Sequence, residues 1–284
     1  MPAPNDTTAI IERRLRAEAR TQKIVFGTLL EQFALSRFLA RLSQSEHKAK
    51  FVLKGAQLFR IWTGQNHRPT RDVDFLGFGD SDPHHLANLI DSICALTPEE
   101  PDALEWLPAK ASPIREENSY GGTQLKIMAQ LGKIRIPLQI DIGFGDAITP
   151  GIVTQSWPGM LGYQDSILTA YPAETVIAEK LEAMIHLGMV NSRMKDFYDL
   201  HWLSNHYQHE QEKIRQAIHN TFQRRQTPLP QSPPIAFTKA FYHDPQKISQ
   251  WKAFLKKSSL NAPDLEETIL CIEATFAKLL IPIS

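Results

Sequence analysis

Residues 121–144 constrain the fold more than any other part of this 284-residue chain. Leu125, Ile127, Ala129 and Leu131 alternate with Gln124, Lys126 and Gln130; after Gly132-Lys133, Ile134, Ile136, Leu138, Ile140 and Ile142 alternate with Arg135, Gln139 and Asp141. Successive side chains on a strand point to opposite faces. A period of two on both sides of a glycine turn therefore predicts an antiparallel hairpin with one apolar and one polar face. Asp141 falls on the polar face near the end of the second strand. Taken alone, an exposed strand aspartate is its commoner meaning.

A second stretch, residues 51–78, carries more chemistry. It opens with a short apolar run ending in Lys54, followed by a Gly55-Ala56 turn and a helix-like segment from Gln57 to Trp62. After a polar loop come Arg71, Asp72, Val73 and Asp74, then a second apolar run to Phe78. Aspartates two apart on a strand share a face. Two like charges that close are costly unless a cation sits between them, and carboxylate oxygen is what Mg²⁺ prefers. A glycine turn leading into a helix lets backbone N–H groups approach phosphate. Two solvated aspartates in a turn is the everyday meaning of such a pair, but the Lys-Gly turn and the apolar flanks weigh against it.

The remaining pattern is mostly helical. Helices are expected at residues 7–20, with Asn5 or Asp6 as cap, and from about Thr21 to Leu42. Lysine and arginine outnumber acids across residues 1–50; a solvated face is the ordinary meaning and RNA contact the sharper one. Asp82-Pro83 opens a helix carrying Leu86, Leu89, Ile90 and Ile93, and residues 97–118 form a poorly patterned connection with a short strand around Leu104–Leu107. Residues 143–171 are rich in Gly and Pro and read as a connection. Pro172 starts a helix whose apolar stripe of Val176, Ile177, Leu181 and Met184 contains Lys180, which needs an anionic partner or must snorkel to water. Gly188 stops that helix. Asn191 or Ser192 caps the next, where Asp196 and Asp199 share a face. Further helices are expected at 210–223, 248–257 and 263–280, and the composition shifts from α/β to all-helical near residue 160.

Composition bounds the function classes. The chain is 42% hydrophobic and 22% charged with zero formal net charge, so electrostatics neither announce a nucleic-acid binder nor exclude a local basic patch. Two distant cysteines, Cys94 and Cys271, fit a reducing compartment rather than a disulfide scaffold or a thiolate metal site. The N-terminus lacks the apolar core of a signal peptide, and no apolar run is long enough to span a bilayer. A cytoplasmic protein with no membrane association is expected. His84-His85 sits at the start of a surface helix and reads as incidental.

Asp72, Asp74 and Asp141 together are three strand carboxylates able to hold two Mg²⁺ ions for phosphoryl displacement. Five segments in order, Leu53-Lys54-Gly55-Ala56, Arg68-x-Thr70-x-Asp72-Val73-Asp74-Phe75, the Asp141 strand, Glu179-Lys180-Leu181-x-Ala183, and Arg193-x-Lys195-Asp196-x-x-Asp199-Leu200, resemble the AbiEii/AbiGii toxin family of the nucleotidyltransferase superfamily. The resemblance implies an α+β fold with a nucleotidyltransferase-like mixed β-sheet core and flanking helices, followed by an all-helical C-terminal half. The expected domains are 1–160, the nucleotidyltransferase-like α/β domain, and 161–284, a helical domain completing the active-site cleft.

It further implies a toxin of a toxin–antitoxin or phage-defence system, acting as a monomer beside a cognate antitoxin. The toxin would transfer a nucleotide from a nucleotide triphosphate (NTP) to RNA, at the tRNA 3′ acceptor end, and so block translation. Carried over by position, Asp72, Asp74 and Asp141 would ligate Mg²⁺, with Asp141 completing the metal site or serving as base. Lys180 would contact the triphosphate and Asp196 would be a further catalytic acid. Lys54, Gly55, Ala56, Gln57 and Arg71 would line the nucleotide, with Arg193, Lys195 and Asp199 as secondary candidates. One departure stands out: the family turn usually reads Lys-Gly-Gly followed by Ser or Thr, whereas this chain has Gly55-Ala56-Gln57. Alanine is a mild change if φ is negative there, while the lost hydroxyl removes one phosphate donor that the Gln57 amide would have to replace. Alternatives are an AMPylation-type enzyme that modifies protein and a non-catalytic nucleotide-binding protein on the same scaffold.

Overall fold

The computed structural model describes residues 4–64, 67–70, 72–114, 121–208 and 210–280, apart from the side chains of residues 4–6. These form two compact units, Met1–Gly145 with Val153–Ala170, and Asp146–Ile152 with Tyr171–Ser284.

The first unit is a mixed seven-stranded sheet with flanking helices. Its strands are β1 (Phe51–Lys54), β2 (Asp72–Gly77), β3 (Leu104–Ile114), β4 (Gly122–Leu131), β5 (Ile134–Phe144), β6 (Val153–Trp157) and β7 (Ser166–Ala170), in the order β3-β4-β5-β2-β1-β7-β6. The β4–β5 hairpin forms as its alternation predicts, with Leu131 opposite Ile134 across the Gly132 turn. β2 runs antiparallel to β1 and parallel to β5, and β1 runs parallel to β7. One face is apolar: Val73, Phe75, Leu125, Ile127, Ala129, Ile136, Ile140 and Ile142 are all buried. Helices α1 (Pro4–Gln22), α2 (Phe26–Gln44), α3 (Gln57–Thr63) and α4 (Pro83–Cys94) complete the unit. Phe33 and Phe38 on α2 are fully buried, each contributing about 1.5–3 kcal/mol of transfer free energy. Asp82 caps α4 as expected, its Oδ1 accepting from the His85 N–H at 2.8 Å.

Several boundaries differ from expectation. The first two helices break at Lys23, which has φ 56°, so α2 begins at Phe26 rather than at residue 21. Asn5 and Asp6 fall inside α1, which starts at Pro4, and so do not cap it. The connection at 97–118 holds an eleven-residue strand, β3, on the sheet edge where Pro108 and Pro113 are tolerated. A buried ion cluster pins its start: Asp102 accepts from Arg41 Nη1 at 2.6 Å and from Arg37 Nε at 3.0 Å. The Gly/Pro-rich connection at 143–171 contains the β6–β7 hairpin.

The second unit is helical: α5 (Ala173–Leu187), α6 (Met194–His206), α7 (Gln211–Arg224), α8 (Lys239–Tyr242), α9 (Pro245–Ser258) and α10 (Leu265–Phe276). Pro172 precedes α5, and Gly188 ends it with φ 48°. Among the described residues, no helix is long and apolar enough to cross a membrane.

Candidate active site

The polar face of the sheet gathers the strand carboxylates. Register places Lys54 opposite Asp74, and Asp74 beside Asp141 on β5. Val73 and Phe75 bury themselves on the core face, which forces Asp72 and Asp74 to the other. Ligand oxygens of Asp72, Asp74 and Asp141 lie within 4.8 Å of one another, and all three residues are half-buried. Three carboxylates that close repel unless a cation joins them. Their all-oxygen donor set fits a hard divalent ion such as Mg²⁺ rather than a thiolate- or imidazole-seeking metal.

Neighbouring polar groups fix the carboxylates. Thr70 donates its hydroxyl to Asp72 Oδ1 at 3.1 Å. Gln139 Nε2 lies 3.1 Å from both Oδ1 and Oδ2 of Asp141. Gln139 was legible as lying on the same strand face as Asp141, but not as the group that orients it. Lys54 reaches across β2, because a Cβ placed on Gly143 would lie 3.8 Å from its Nζ.

The glycine turn is built against the same carboxylates. Gly55 has φ 74°, and a Cβ there would meet Asp74 Oδ2 at 2.0 Å, so both backbone conformation and space require glycine. Ala56 has φ −66° and ψ −26°, a conformation open to any L-residue, which makes the alanine departure mild. Gln57 is buried, and its Nε2 donates to the main-chain oxygen of Asp72 at 3.2 Å. One of its two amide hydrogens therefore braces β2. Arg71 lies outside the described residues.

The remaining candidates cluster within the helical unit. Lys180 Nζ lies 2.7 Å from Asp196 Oδ1 and 2.8 Å from Asp199 Oδ2, and Arg193 Nε lies 2.7 Å from Asp196 Oδ2. The anionic partners that a lysine in an apolar stripe requires are thus two buried aspartates of α6. Burial pushes the Asp196 carboxyl up, but Lys180 and Arg193 outweigh it and hold it below the ordinary carboxylate range. Lys195 points to solvent, apart from this cluster. Glu179 joins a second network around Arg225, which lies 3.3 Å from Glu179, 2.9 Å from Glu182 and 3.1 Å from Asp146. That network was not read from the sequence, since Asp146 and Arg225 are distant and flank no motif. A cavity of about 420 Å³ lined by Arg41, Asp91, Cys94, Leu104 and Trp106 contains none of the predicted site residues.

With the geometry in place, comparison with known proteins is specific. The family model described as nucleotidyl transferase AbiEii toxin, type IV TA system, matches residues 37–279. No curated protein matches the sequence. Among solved structures, a candidate nucleotidyltransferase from H. pylori is similar at TM-score 0.50 and 18% identity, over 89% of this chain and 94% of that one. JHP933 from Helicobacter pylori is similar at TM-score 0.50 and 20% identity, over 87% and 89% of the two chains. At those identities the structural likeness speaks to the fold.

Proposed function

Because this chain belongs to the AbiEii nucleotidyl transferase toxin family of type IV toxin–antitoxin systems, we propose that it moves a nucleotidyl group from an NTP to the 3′ hydroxyl of RNA, at the acceptor end of tRNA. A tRNA so extended cannot be aminoacylated, and translation stops. One observation carries this reading: three carboxylates from two adjacent parallel strands converge within 4.8 Å beside a glycine turn. The family also implies a cognate antitoxin as partner.

Asp72, Asp74 and Asp141 would hold Mg²⁺, which would neutralise charge on the phosphates. Thr70 and Gln139 keep two of these carboxylates aimed. The turn at Gly55-Ala56 would present backbone N–H groups to the triphosphate, with Lys54 as point charge and Arg71 as a further nucleotide contact. In the transfer, the 3′ oxygen forms a bond to the α-phosphorus while the bond from that phosphorus to pyrophosphate breaks. Asp141 would complete the metal site or take the hydroxyl proton. Lys180 is proposed to contact the triphosphate. Asp196 and Asp199 would hold its ammonium group in place, with Arg193 bracing Asp196, while exposed Lys195 is a secondary candidate.

The test is incubation of the purified full chain with Mg²⁺, labelled NTPs and total tRNA, scoring both label and pyrophosphate. Label in RNA with stoichiometric pyrophosphate, lost in Asp74→Asn, is the expected result. Label in protein would instead establish the AMPylation-type alternative, and nucleotide binding with no pyrophosphate the non-catalytic one.

A further inference from the structure

We propose that the open face of β3, β4 and β5 is the platform for the acceptor RNA strand, with Lys110 and Lys126 gripping the phosphodiester backbone upstream of the reacting 3′ hydroxyl. The inference rests on the transfer reading above. Strand register draws two polar rows across this face: Ser112–Gln124–Asp141–Asp74–Lys54, and Lys110–Lys126–Gln139–Asp72. The second row leads from two cations straight to the carboxylates. Lys126 and Asp72 are two strand spacings apart, roughly 10 Å between their backbones.

Lys110 and Lys126 are direct cross-strand partners on an antiparallel pair, an arrangement that is unfavourable for like charges. Both are exposed, and neither has an ion-pair partner among the described residues. A polyanion lying across them removes the repulsion. Lysine is a point-charge binder of phosphate, and backbone phosphates are what fix a nucleic acid's position on a protein. A protein acceptor presents no regular line of negative charge to match them.

Lys110 reaches this face only because β3 is bulged. Leu107 faces Met128 and Lys110 faces Lys126, so three steps along β3 match two along β4. Without the extra residue, Ala109 would oppose Lys126 and Lys110 would turn toward the helix-covered side. The bulge is anchored from α4, where Asp91 Oδ1 accepts from the Ala109 N–H at 2.8 Å. Bulges beside active sites commonly re-aim a side chain in this way. Exposed Arg135, on the same face of β5, extends the cationic line away from the carboxylates.

The experiment is fluorescence anisotropy of a short labelled single-stranded oligoribonucleotide with a free 3′ hydroxyl, titrated with the full chain over a range of salt. NTP and divalent ions are omitted. Lys110→Ala with Lys126→Ala should lower the slope of log K against log salt by about 1.4, at about 0.7 per phosphate contact. Lys110→Arg with Lys126→Arg should retain the wild-type slope, as should the control pair Lys252→Ala with Lys256→Ala on α9. An unchanged slope in the first alanine pair, or an equal drop in the control, overturns the platform. Transfer of labelled NTP to total tRNA, with Mg²⁺, is measured in parallel. Transfer by the wild type with no lysine dependence of binding sinks the platform alone. Lysine-dependent binding with no transfer sinks the transferase reading alone, and neither binding nor transfer sinks both.

Discussion

At the residue scale, the three aspartates are individually unremarkable and jointly costly. Held within 4.8 Å, their like charges repel one another, and a divalent cation would relieve that repulsion. Asp72→Asn should therefore raise the melting temperature in EDTA while abolishing the stabilisation that Mg²⁺ confers on the wild type. That stabilisation amounts to about 2.7 kcal/mol when free Mg²⁺ exceeds Kd a hundredfold. Differential scanning fluorimetry with and without Mg²⁺ checks both halves, and a wild type whose melting temperature ignores Mg²⁺ would count against the metal site. Gly55 makes a sharper case. A left-handed φ alone costs a non-glycine residue about 1–2 kcal/mol, and the Cβ would collide with Asp74 besides. Gly55→Ala should lower stability by at least that amount in urea and cut transfer at least about a hundredfold, the order lost with one electrostatic catalytic group. Gly64→Ala is the control, because Gly64 also has positive φ but nothing within 4 Å of its Cβ position.

At the element scale, what was legible depended on length and on neighbours. β4 and β5 declare themselves because ten or eleven residues of strict alternation leave no helical interpretation. β6 and β7 are five residues each, set among Pro158, Gly159 and Gly162, so their alternation is too brief to outweigh the turn residues. β3 was shortened in expectation because Pro108 and Pro113 argue against a central strand. They are compatible with the edge position that only the topology reveals. The break at Lys23 has no glycine or proline to mark it. The site divides in the same way: Asp72, Asp74 and Asp141 were legible from strand parity, whereas the brace from Gln57 to the Asp72 carbonyl depends on a tertiary contact. Lys180 needed a partner by its place in an apolar stripe, and α6 supplies two. Lys180→Met should destabilise the fold by about 3–5 kcal/mol near neutral pH, since it strands buried carboxylates. Asp196 is held below its ordinary value by Lys180 and Arg193, against the opposing effect of burial. Its contribution is complete above the unfolded carboxylate pKa of about 3.9 and is lost as pH falls through the folded one. The gap between wild type and Lys180→Met should therefore narrow on acidification, as urea titrations at several pH values would show; a constant gap would separate Lys180 from the Asp196 charge.

At the scale of the whole molecule, the chain pairs a mixed-sheet unit that carries the strand carboxylates with a helical unit that carries the Lys180 cluster. Formal neutrality conceals a polarised surface in the first unit, where exposed lysines line one face of the sheet and lead toward the acids. Composition averages over that pattern and strand register exposes it. Membership of the AbiEii family gives the chemistry its class, and the carboxylate trio is the place proposed for it. The most direct test is mass spectrometry of tRNA 3′ ends from cells expressing the wild-type chain or Asp72→Asn. The expected result is nucleotides added beyond the acceptor end with the wild type alone, appearing as growth stops. Unaltered 3′ ends during growth arrest, or arrest that persists in Asp72→Asn, would contradict the account.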